Sequence, residues 1–471
     1  MKYLHGLYTL LFGVAVLLFF GLAYPHHLHY QEQYQLFLFD STYVWDIVRL
    51  PGGVADLLGR FCTQFFLFAW VGAFIIALLL ILVQLLTLRL FNGQWSMVNN
   101  HWFYGLTFVP SFLLWLFLLD ENALLGGVWA VLLTLLAIWV CVMAPSGWPR
   151  RILILIAIPV LYWIALGGSH YHRYPTVTPY LLYAAWLSAV ILPFIVRACH
   201  KWLSISSGSK NRGVALFTLH SSLFTFLLVT VVMGSIVWNN TNIKAEKVMQ
   251  YDFMARHQQW NRILATATAE KPNNQIGVTV QNLALAMHGM LADHLFDFNQ
   301  NGIAGLLPDV QSDATSPLPT AEAFYQLGMI YVAQRTVFEA QEAILDFQKS
   351  ARCYKRLAQT NLIIGSYEVA RKYLMALQKT LFYRDWANET LPLLGNEVAI
   401  AKHPEYGRLR QCAYKEDFYF SDHVTAEMLE SLYFHNKDNR LALEYLKAYY
   451  MLTGDRDSYA RLLHDLQEAK N

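Results

Sequence analysis

The segment FCTQFFLFAWVGAFIIALLLILVQLLT (61–87) is a long apolar run without a single Asp, Glu, Lys or Arg. A helix rises about 1.5 Å per residue, so about 20 apolar residues cross the roughly 30 Å hydrocarbon layer of a membrane. A charged residue at the centre of such a helix costs about 2.5–3.5 kcal/mol. The segment therefore predicts a transmembrane helix.

Further stretches of the same kind lie on both sides of this segment. They are 7–24, 102–119, 122–143, 151–168, 178–197 and 215–238. None has Asp, Glu or Lys in its interior. The whole chain is 56% hydrophobic and 14% charged, whereas an ordinary globular protein is about 25% charged. The first half of the chain is therefore predicted to be a bundle of about seven membrane spans.

The two halves of the sequence differ in charge. Of the 33 acidic residues, six lie before residue 243 and 27 after it. The change predicts an all-α protein with two domains, a polytopic membrane helical bundle (1–242) and a soluble helical-repeat domain (243–471). The net charge is +2 and no basic segment stands out, so no nucleic-acid partner is predicted.

Basic residues in the predicted loops indicate the orientation. One side carries Lys2, Arg89, Arg150, Arg151, Arg197, Lys201, Lys210 and Arg212, and the other carries Arg49, Arg60 and Arg173. By the positive-inside rule the N-terminus is cytoplasmic, which puts the second domain on the outer, periplasmic side of a bacterial inner membrane. An alternative is that residues 7–20 are a signal-peptide core with a cleavage site at 21–23, which would remove one span.

The second domain shows repeated amphipathic helices with small and aromatic residues at the spacing of tetratricopeptide repeats. The matching positions are Phe324, Leu327, Gly328, Tyr331 and Ala340, then Tyr354, Leu357, Ala358, Gly365 and Ala370, and more weakly Leu443, Leu446, Tyr450 and Gly454. Generic helical hairpins are the alternative. Repeats of this kind form a concave surface that binds a partner or an acceptor protein.

Polar residues gather in the predicted outer loops of the membrane half. They are Glu32, Asp40, Asp46 and Asp56 in the first loop, Asp120 and Glu121 in the second, and His170, His172 and Arg173 in the third. Carboxylates accept protons or hold divalent cations, and arginine binds phosphate oxygens. This set indicates a site for an anionic, lipid-linked substrate. The alternative is that charged groups lie in loops only because the spans exclude them.

The succession of span one, Glu32, a predicted surface helix at 31–50, a break at 51–53 and span two resembles the opening of the GT-C superfamily of membrane glycosyltransferases. The resemblance implies transfer of a sugar or oligosaccharide from a polyprenyl-phosphate-linked donor to an acceptor at the outer face. It implies Glu32 as general base or metal ligand, with Asp40 as its substitute. It also implies Asp120 and Glu121 as ligands of Mg²⁺ or Mn²⁺, and His170, His172 and Arg173 as contacts of the carrier phosphate.

The stretch YQEQYQLFLFDSTYVWDIVRLPGGVADLLGRFCTQFF (30–66) also resembles an uncharacterised bacterial family of multipass proteins with repeat-like tails. That resemblance brings no activity with it. The rival hypothesis is therefore a non-enzymatic, membrane-anchored scaffold that assembles an envelope complex. A transporter is disfavoured, because membrane-buried charges usually mark an ion path and the predicted spans have none in their interiors. A receptor-like sensor is a further alternative.

Overall fold

The computed structural model describes residues 2–93, 101–145, 147–165, 179–206, 214–309, 316–344, 348–414 and 424–468. Within these ranges the regular structure is helical, apart from one isolated β-bridge between Asn301 and Ile303. The chain divides into two compact units, Met1–Glu246 and Lys247–Asn471. The all-helical fold class predicted from the sequence is confirmed for the described residues.

The α-helices that begin in the first unit are α1 (Lys2–Leu18), α2 (Pro25–Gln31), α3 (Ser41–Val48), α4 (Gly53–Thr63), α5 (Ala69–Gly93), α6 (Val109–Phe117), α7 (Leu125–Met143), α8 (Trp148–Ile164), α9 (Pro179–Ser206), α10 (Val214–Asn239) and α11 (Ile243–Arg256). Among the described residues, four segments are long and apolar enough to cross a membrane: Leu4–Ala23, Ala69–Phe91, Leu125–Met143 and Ser222–Asn239. Two shorter apolar helices are Phe103–Phe117 and Tyr180–Val196. These properties are those of a membrane protein.

Two sequence-predicted helices have different bounds in the structure. The run 61–87 is interrupted, since a 3₁₀ turn follows α4, Phe68 has extended backbone and α5 begins at Ala69. The predicted surface helix over 31–50 is also wrong, because residues 35–40 are not helical and only Ser41–Val48 forms α3. Apolar content alone does not reveal either break.

Small residues allow close contact between helices in the first unit. A Cβ atom added to Gly59 of α4 would lie 2.4 Å from the backbone nitrogen of Gly126 in α7. One added to Gly105 would lie 2.4 Å from the backbone of Thr225 in α10. Such contacts are typical of helices in membranes, where dispersion contacts replace the hydrophobic effect as the force between helices.

Aromatic side chains fill the core of this unit. The ring of Phe12 makes edge contacts with Phe108, Phe112 and Trp115, with centroids 5.3, 5.1 and 6.0 Å apart. Between α5 and the 3₁₀ segment that precedes α6, the Gln84 side-chain amide donates to Thr107 Oγ1 at 3.0 Å. Interhelical hydrogen bonds of this kind contribute about 0.6–2 kcal/mol in a membrane.

The second unit contains α12 (Trp260–Glu270), α13 (Gln275–Met287), α14 (Leu291–His294), α15 (Pro317–Leu327), α16 (Ile330–Ala343), α17 (Ala351–Ile364), α18 (Tyr367–Leu377), α19 (Arg384–Thr390), α20 (Glu397–Lys402), α21 (Pro404–Cys412), α22 (Thr425–His435), α23 (Arg440–Thr453) and α24 (Arg456–Glu468). Helix pairs α15–α16 and α17–α18 turn at Gly328 and Gly365, whose φ values are +94° and +96°. Both glycines therefore end a helix in the left-handed conformation. A Cβ on Gly328 would also meet Cys412, whereas the space at Gly365 is open.

Candidate functional site

The site lies where the chain leaves the first membrane-length helix. A π-helical turn over Phe19–Ala23 ends that helix, and Pro25 begins α2 with the fixed φ that favours a first helical position. The backbone N–H groups of His26 and His27 donate to the two carboxylate oxygens of Glu246, at 2.7 and 2.8 Å. Glu246 is 7% exposed. A carboxylate from the start of α11 therefore satisfies the first amides of α2.

Helix α2 also holds the turn between α6 and α7. The buried ring of His27 forms a 2.9 Å hydrogen bond through Nε2 with the carbonyl oxygen of Leu118. Burial lowers the pKa of His27 to about 4, so the neutral ring donates this bond at neutral pH. The side-chain amide of Gln31 donates to the carbonyl oxygens of Asp120 and Ala123, at 3.3 and 3.2 Å. The two segments predicted as the first and second outer loops are thus joined.

A narrow cleft lies at this junction. It is lined by Gln31, Tyr34, Gln35, Thr63, Glu121, Ala123 and Leu124, and in this structure it has no room for a water molecule. The Oε1 atom of Gln35 accepts a 3.3 Å hydrogen bond from Thr63. Gln35 Nε2 is buried without a hydrogen-bond partner. A buried donor of this kind costs about 1–3 kcal/mol.

Carboxyl groups near the cleft have raised pKa values. Burial raises the pKa of Asp120, although Asp120 Oδ1 accepts a 2.8 Å bond from the Asn122 N–H. Burial and the neighbouring Asp120 charge raise the pKa of Glu121. Burial raises the pKa of Glu246 to about 7 against the opposing effect of its two amide bonds. These groups therefore hold protons more readily than exposed carboxyls do.

Tyr24 lies close enough to these three carboxyl groups for their charges to affect its pKa. Tyr24 is fully buried, and burial followed by the charges of Glu246, Glu121 and Asp120 raises its pKa. Its ring stacks on the ring of His27, with centroids 4.5 Å apart. The acids predicted in the second outer loop and the first residues of α11 therefore share one neighbourhood.

The two acids predicted as catalytic lie in different settings. Glu32 belongs to a 3₁₀ turn directly after α2 and is 4% exposed, next to the cleft-lining Gln31. Asp40 is the N-cap of α3 and accepts a 2.9 Å hydrogen bond from the Thr42 N–H. Asp40 does not line the cleft. This bond is an ordinary helix cap.

The remaining predicted site residues have separate outcomes. His170, His172 and Arg173 lie outside the described residues. Among the described residues, the potential metal-ligand atoms of His464, Asp465 and Glu468 lie within 4.8 Å of one another. All three side chains are exposed. Asp120 and Glu121 are not members of that group. Binding of a divalent cation by Asp120 and Glu121 therefore stays a prediction. Of these two residues, Glu121 lines the cleft.

Sequence reasoning missed Glu246 and, of the polar residues that line the cleft, Gln31, Tyr34, Gln35 and Thr63. Glu246 fell beyond the predicted boundary at 242 and was counted with the soluble half, although it follows the last apolar helix by a few residues. Its position a few residues after the end of α10 was the feature of the sequence that could have placed it with the first unit. Nothing in the sequence marked Gln35 as a site residue, because a glutamine in a predicted amphipathic segment is expected to face solvent.

The fold is that of a helical protein with four candidate membrane spans among the described residues, and its second unit is helical as well. The chain belongs to the family of unknown function DUF6057, whose profile matches residues 1–170 and 165–471. No curated protein and no solved structure matches the chain.

Proposed function

We propose that this protein transfers a sugar or oligosaccharide from a polyprenyl-phosphate-linked donor to an acceptor at the outer face of a bacterial inner membrane. In the proposal a seven-span module, with a cytoplasmic N-terminus, carries a GT-C-type site, and a tetratricopeptide-like domain presents the acceptor. The observation that carries the proposal is the unsatisfied Gln35 amide in a cleft that Glu121 also lines.

Sugar transfer needs a base for the acceptor hydroxyl and stabilisation of the departing carrier phosphate. Glu121 lines the cleft and has a raised pKa, a property that suits proton transfer near neutral pH. Glu32, buried one residue from Gln31, is the second proposed base or metal ligand. The Gln35 amide would donate to a hydroxyl or phosphate oxygen. His170, His172 and Arg173 are the proposed contacts of the carrier phosphate.

The direct test is turnover by the full chain in lipid nanodiscs. A panel of polyprenyl-phosphate-linked sugars would be supplied with an envelope extract as acceptor, and release of polyprenyl phosphate followed by mass spectrometry. Glu121→Gln should lower the release by about 100-fold or more, as expected for loss of a general acid–base group. Asp46→Asn, at an exposed residue paired with Arg49, is the matched control and should leave it unchanged. No release from any donor would overturn the proposal.

The second candidate function is a membrane-anchored scaffold. The observation that favours it is the narrowness of the cleft, which has no room for a water molecule in this structure. A scaffold role predicts that Glu32→Gln and Glu121→Gln leave both the cross-linked envelope partners and the growth of the host unchanged. The transferase role predicts loss of function in at least one of these variants with normal amounts of folded protein.

A further inference from the structure

The loop that follows α14 has the residue spacing of a calcium-binding loop. Its sequence DFNQNG (297–302) places Asp297, Asn299 and Asn301 at alternate positions, followed by a glycine. Calcium loops of the EF-hand type carry oxygen ligands at positions one, three and five, and a glycine at position six makes the sharp turn. Gly302 makes that turn here, with a φ of +65°. The first six positions of the pattern are therefore present.

The side chain at position four holds this loop in place. Gln300 Nε2 donates to the carbonyl oxygen of Leu295 at 2.8 Å and to Asn282 Oδ1 at 3.2 Å. The buried Asn282 amide donates in turn to Gln300 Oε1 and to the carbonyl oxygen of Gly305, both at 2.9 Å. Asn282 of α13 thereby ties the middle and the end of the loop to a buried helix.

Both asparagine side chains of the pattern are anchored on consecutive backbone carbonyls. Asn299 Nδ2 donates to the carbonyl oxygens of Lys271 and Pro272, at 3.0 and 3.4 Å, and Asn301 Nδ2 donates to that of Asn273 at 3.1 Å. A carbonyl oxygen bonds only to the nitrogen of an amide, so both Oδ1 atoms are turned away from these carbonyls. Among the residues that the structure describes, no hydrogen bond reaches either Oδ1 atom.

Asp297 supplies the carboxylate of the set. Its side chain is 65% exposed, and its Oδ2 atom bonds to His294 Nδ1 at 2.7 Å. Within the described ranges its Oδ1 atom accepts no hydrogen bond. The loop thus presents three side-chain oxygens that lack a donor, and one of them belongs to an anion. Oxygen atoms of this kind are the ligands of hard divalent cations, and they would repel an anion.

The later positions of the loop limit the strength of such a site. Pro308 stands at position twelve, where EF-hand loops carry a bidentate glutamate. The Ile303 carbonyl at position seven already accepts bonds from the N–H groups of Leu306 and Leu307, at 2.9 and 3.1 Å. Water would therefore complete the coordination of an ion. Calcium sites of extracellular modules have Kd values of about 10⁻⁴–10⁻³ M, and we expect this range for a loop with one carboxylate.

We propose that the loop 297–302 of the second unit is a low-affinity Ca²⁺ site, with Asp297, Asn299 and Asn301 as its side-chain ligands. Calcium is favoured over magnesium, because Mg²⁺ demands near-ideal octahedral geometry and loses its water reluctantly. A bound ion would fix the exposed side of the loop, whose inner side Asn282 already holds. This inference stands apart from the transferase cleft and from the cation predicted there, which belong to the first unit.

Hydrogen exchange of the full chain in nanodiscs of neutral lipid, read by mass spectrometry, tests the site. With about 10 mM CaCl₂, exchange in peptides that cover 295–307 should be about tenfold slower or more than in EDTA, given the expected Kd range. The same concentration of MgCl₂ should have little effect. Peptides that cover α18 are the internal reference and should exchange equally under all three conditions.

Two matched variants identify the ligand. Asp297→Asn keeps the size of the side chain and an oxygen for His294 but removes the charge, so it should lose the protection by calcium. Asp293→Asn removes an exposed charge from the neighbouring helix α14 and should keep most of the protection. In EDTA both variants should exchange as the wild type does, which shows that the loop still folds.

Other results overturn the proposal, and the first two need no variant. Absence of protection by calcium in the wild type shows that the loop 297–302 is only a structural turn. Equal protection by magnesium shows an adventitious divalent ion only. Equal protection of Asp297→Asn and Asp293→Asn by calcium contradicts the assignment of Asp297 as a ligand.

Discussion

The carboxylate of Glu246 accepts a 2.8 Å hydrogen bond from the backbone N–H of His27, although the two residues are 219 positions apart. Its other oxygen accepts from the N–H of His26 at 2.7 Å. Glu246 thereby caps α2, which carries the Gln31 bonds to the turn at 120–123. The geometry of the cleft depends on a residue that follows the last apolar helix of the unit.

Glu246→Ala is expected to destabilise the first unit. It leaves the buried amide of His27 and the partly buried amide of His26 without their acceptor. An unsatisfied buried group costs about 1–3 kcal/mol. The measurement is the thermal unfolding midpoint of the full chain in detergent. Asp46→Ala, which removes an exposed ion pair with Arg49, is the control and should change the midpoint little. An unchanged midpoint for Glu246→Ala would contradict the capping role.

The pH dependence of stability follows from Glu246 and His27 together. The folded-state pKa of Glu246 is raised to about 7 from 4.5, so its contribution makes the protein more stable as the pH falls through this interval. The folded-state pKa of His27 is lowered to about 4 from 6.5, so its contribution is lost as the pH falls through that interval. The two effects oppose each other between about pH 4.5 and 6.5.

Replacing Glu246 should therefore expose the pH dependence of stability that His27 causes, and replacing His27 should expose the one that Glu246 causes. Glu246→Gln should melt at progressively lower temperature on acidification from pH 6.5 to 4.5, since only the His27 effect remains. The wild type should show a flatter profile over the same range. Parallel profiles for the two proteins would show that Glu246 does not titrate in this interval.

Gly59→Ala is expected to destabilise the contact between α4 and α7. The new methyl group would lie 2.4 Å from the Gly126 nitrogen, and overpacking of this kind costs about 1–3 kcal/mol. The control is Gly234→Ala in α10, where nothing lies within 4 Å of the added atom and alanine favours a helix by about 1 kcal/mol. The unfolding midpoint should fall for the first variant and not for the second. A midpoint for Gly59→Ala equal to that of the wild type would show that α4 can move away.

Gln35→Leu separates a ligand-binding role from a structural one. The substitution removes a buried amide donor that has no partner. It also removes the 3.3 Å bond from Thr63, but the Thr63 hydroxyl keeps the Gly59 carbonyl as an acceptor at 2.9 Å. The protein should therefore keep its unfolding midpoint or raise it. If the cleft binds the donor sugar, release of polyprenyl phosphate should nevertheless fall by about tenfold. A variant that keeps both stability and turnover would exclude Gln35 from donor binding.

The sequence by itself determined the helical class and the membrane character of this protein. Apolar runs such as 69–91 cannot be anything but buried or lipid-facing helix, because hydrocarbon leaves backbone polar groups no other partner. These are local properties, set by side chains and backbone within a few residues.

Only the tertiary structure decided which polar groups meet. The spacing of Gln31 and Asp120 along the chain contains no information about their hydrogen bond, and nothing local distinguishes Gln35 from an exposed glutamine. The break at Phe68 and the pairing of Glu246 with α2 depend on how helices pack. Such contacts arise from shape and from the need of buried polar atoms for partners, which are properties of the folded chain as a whole.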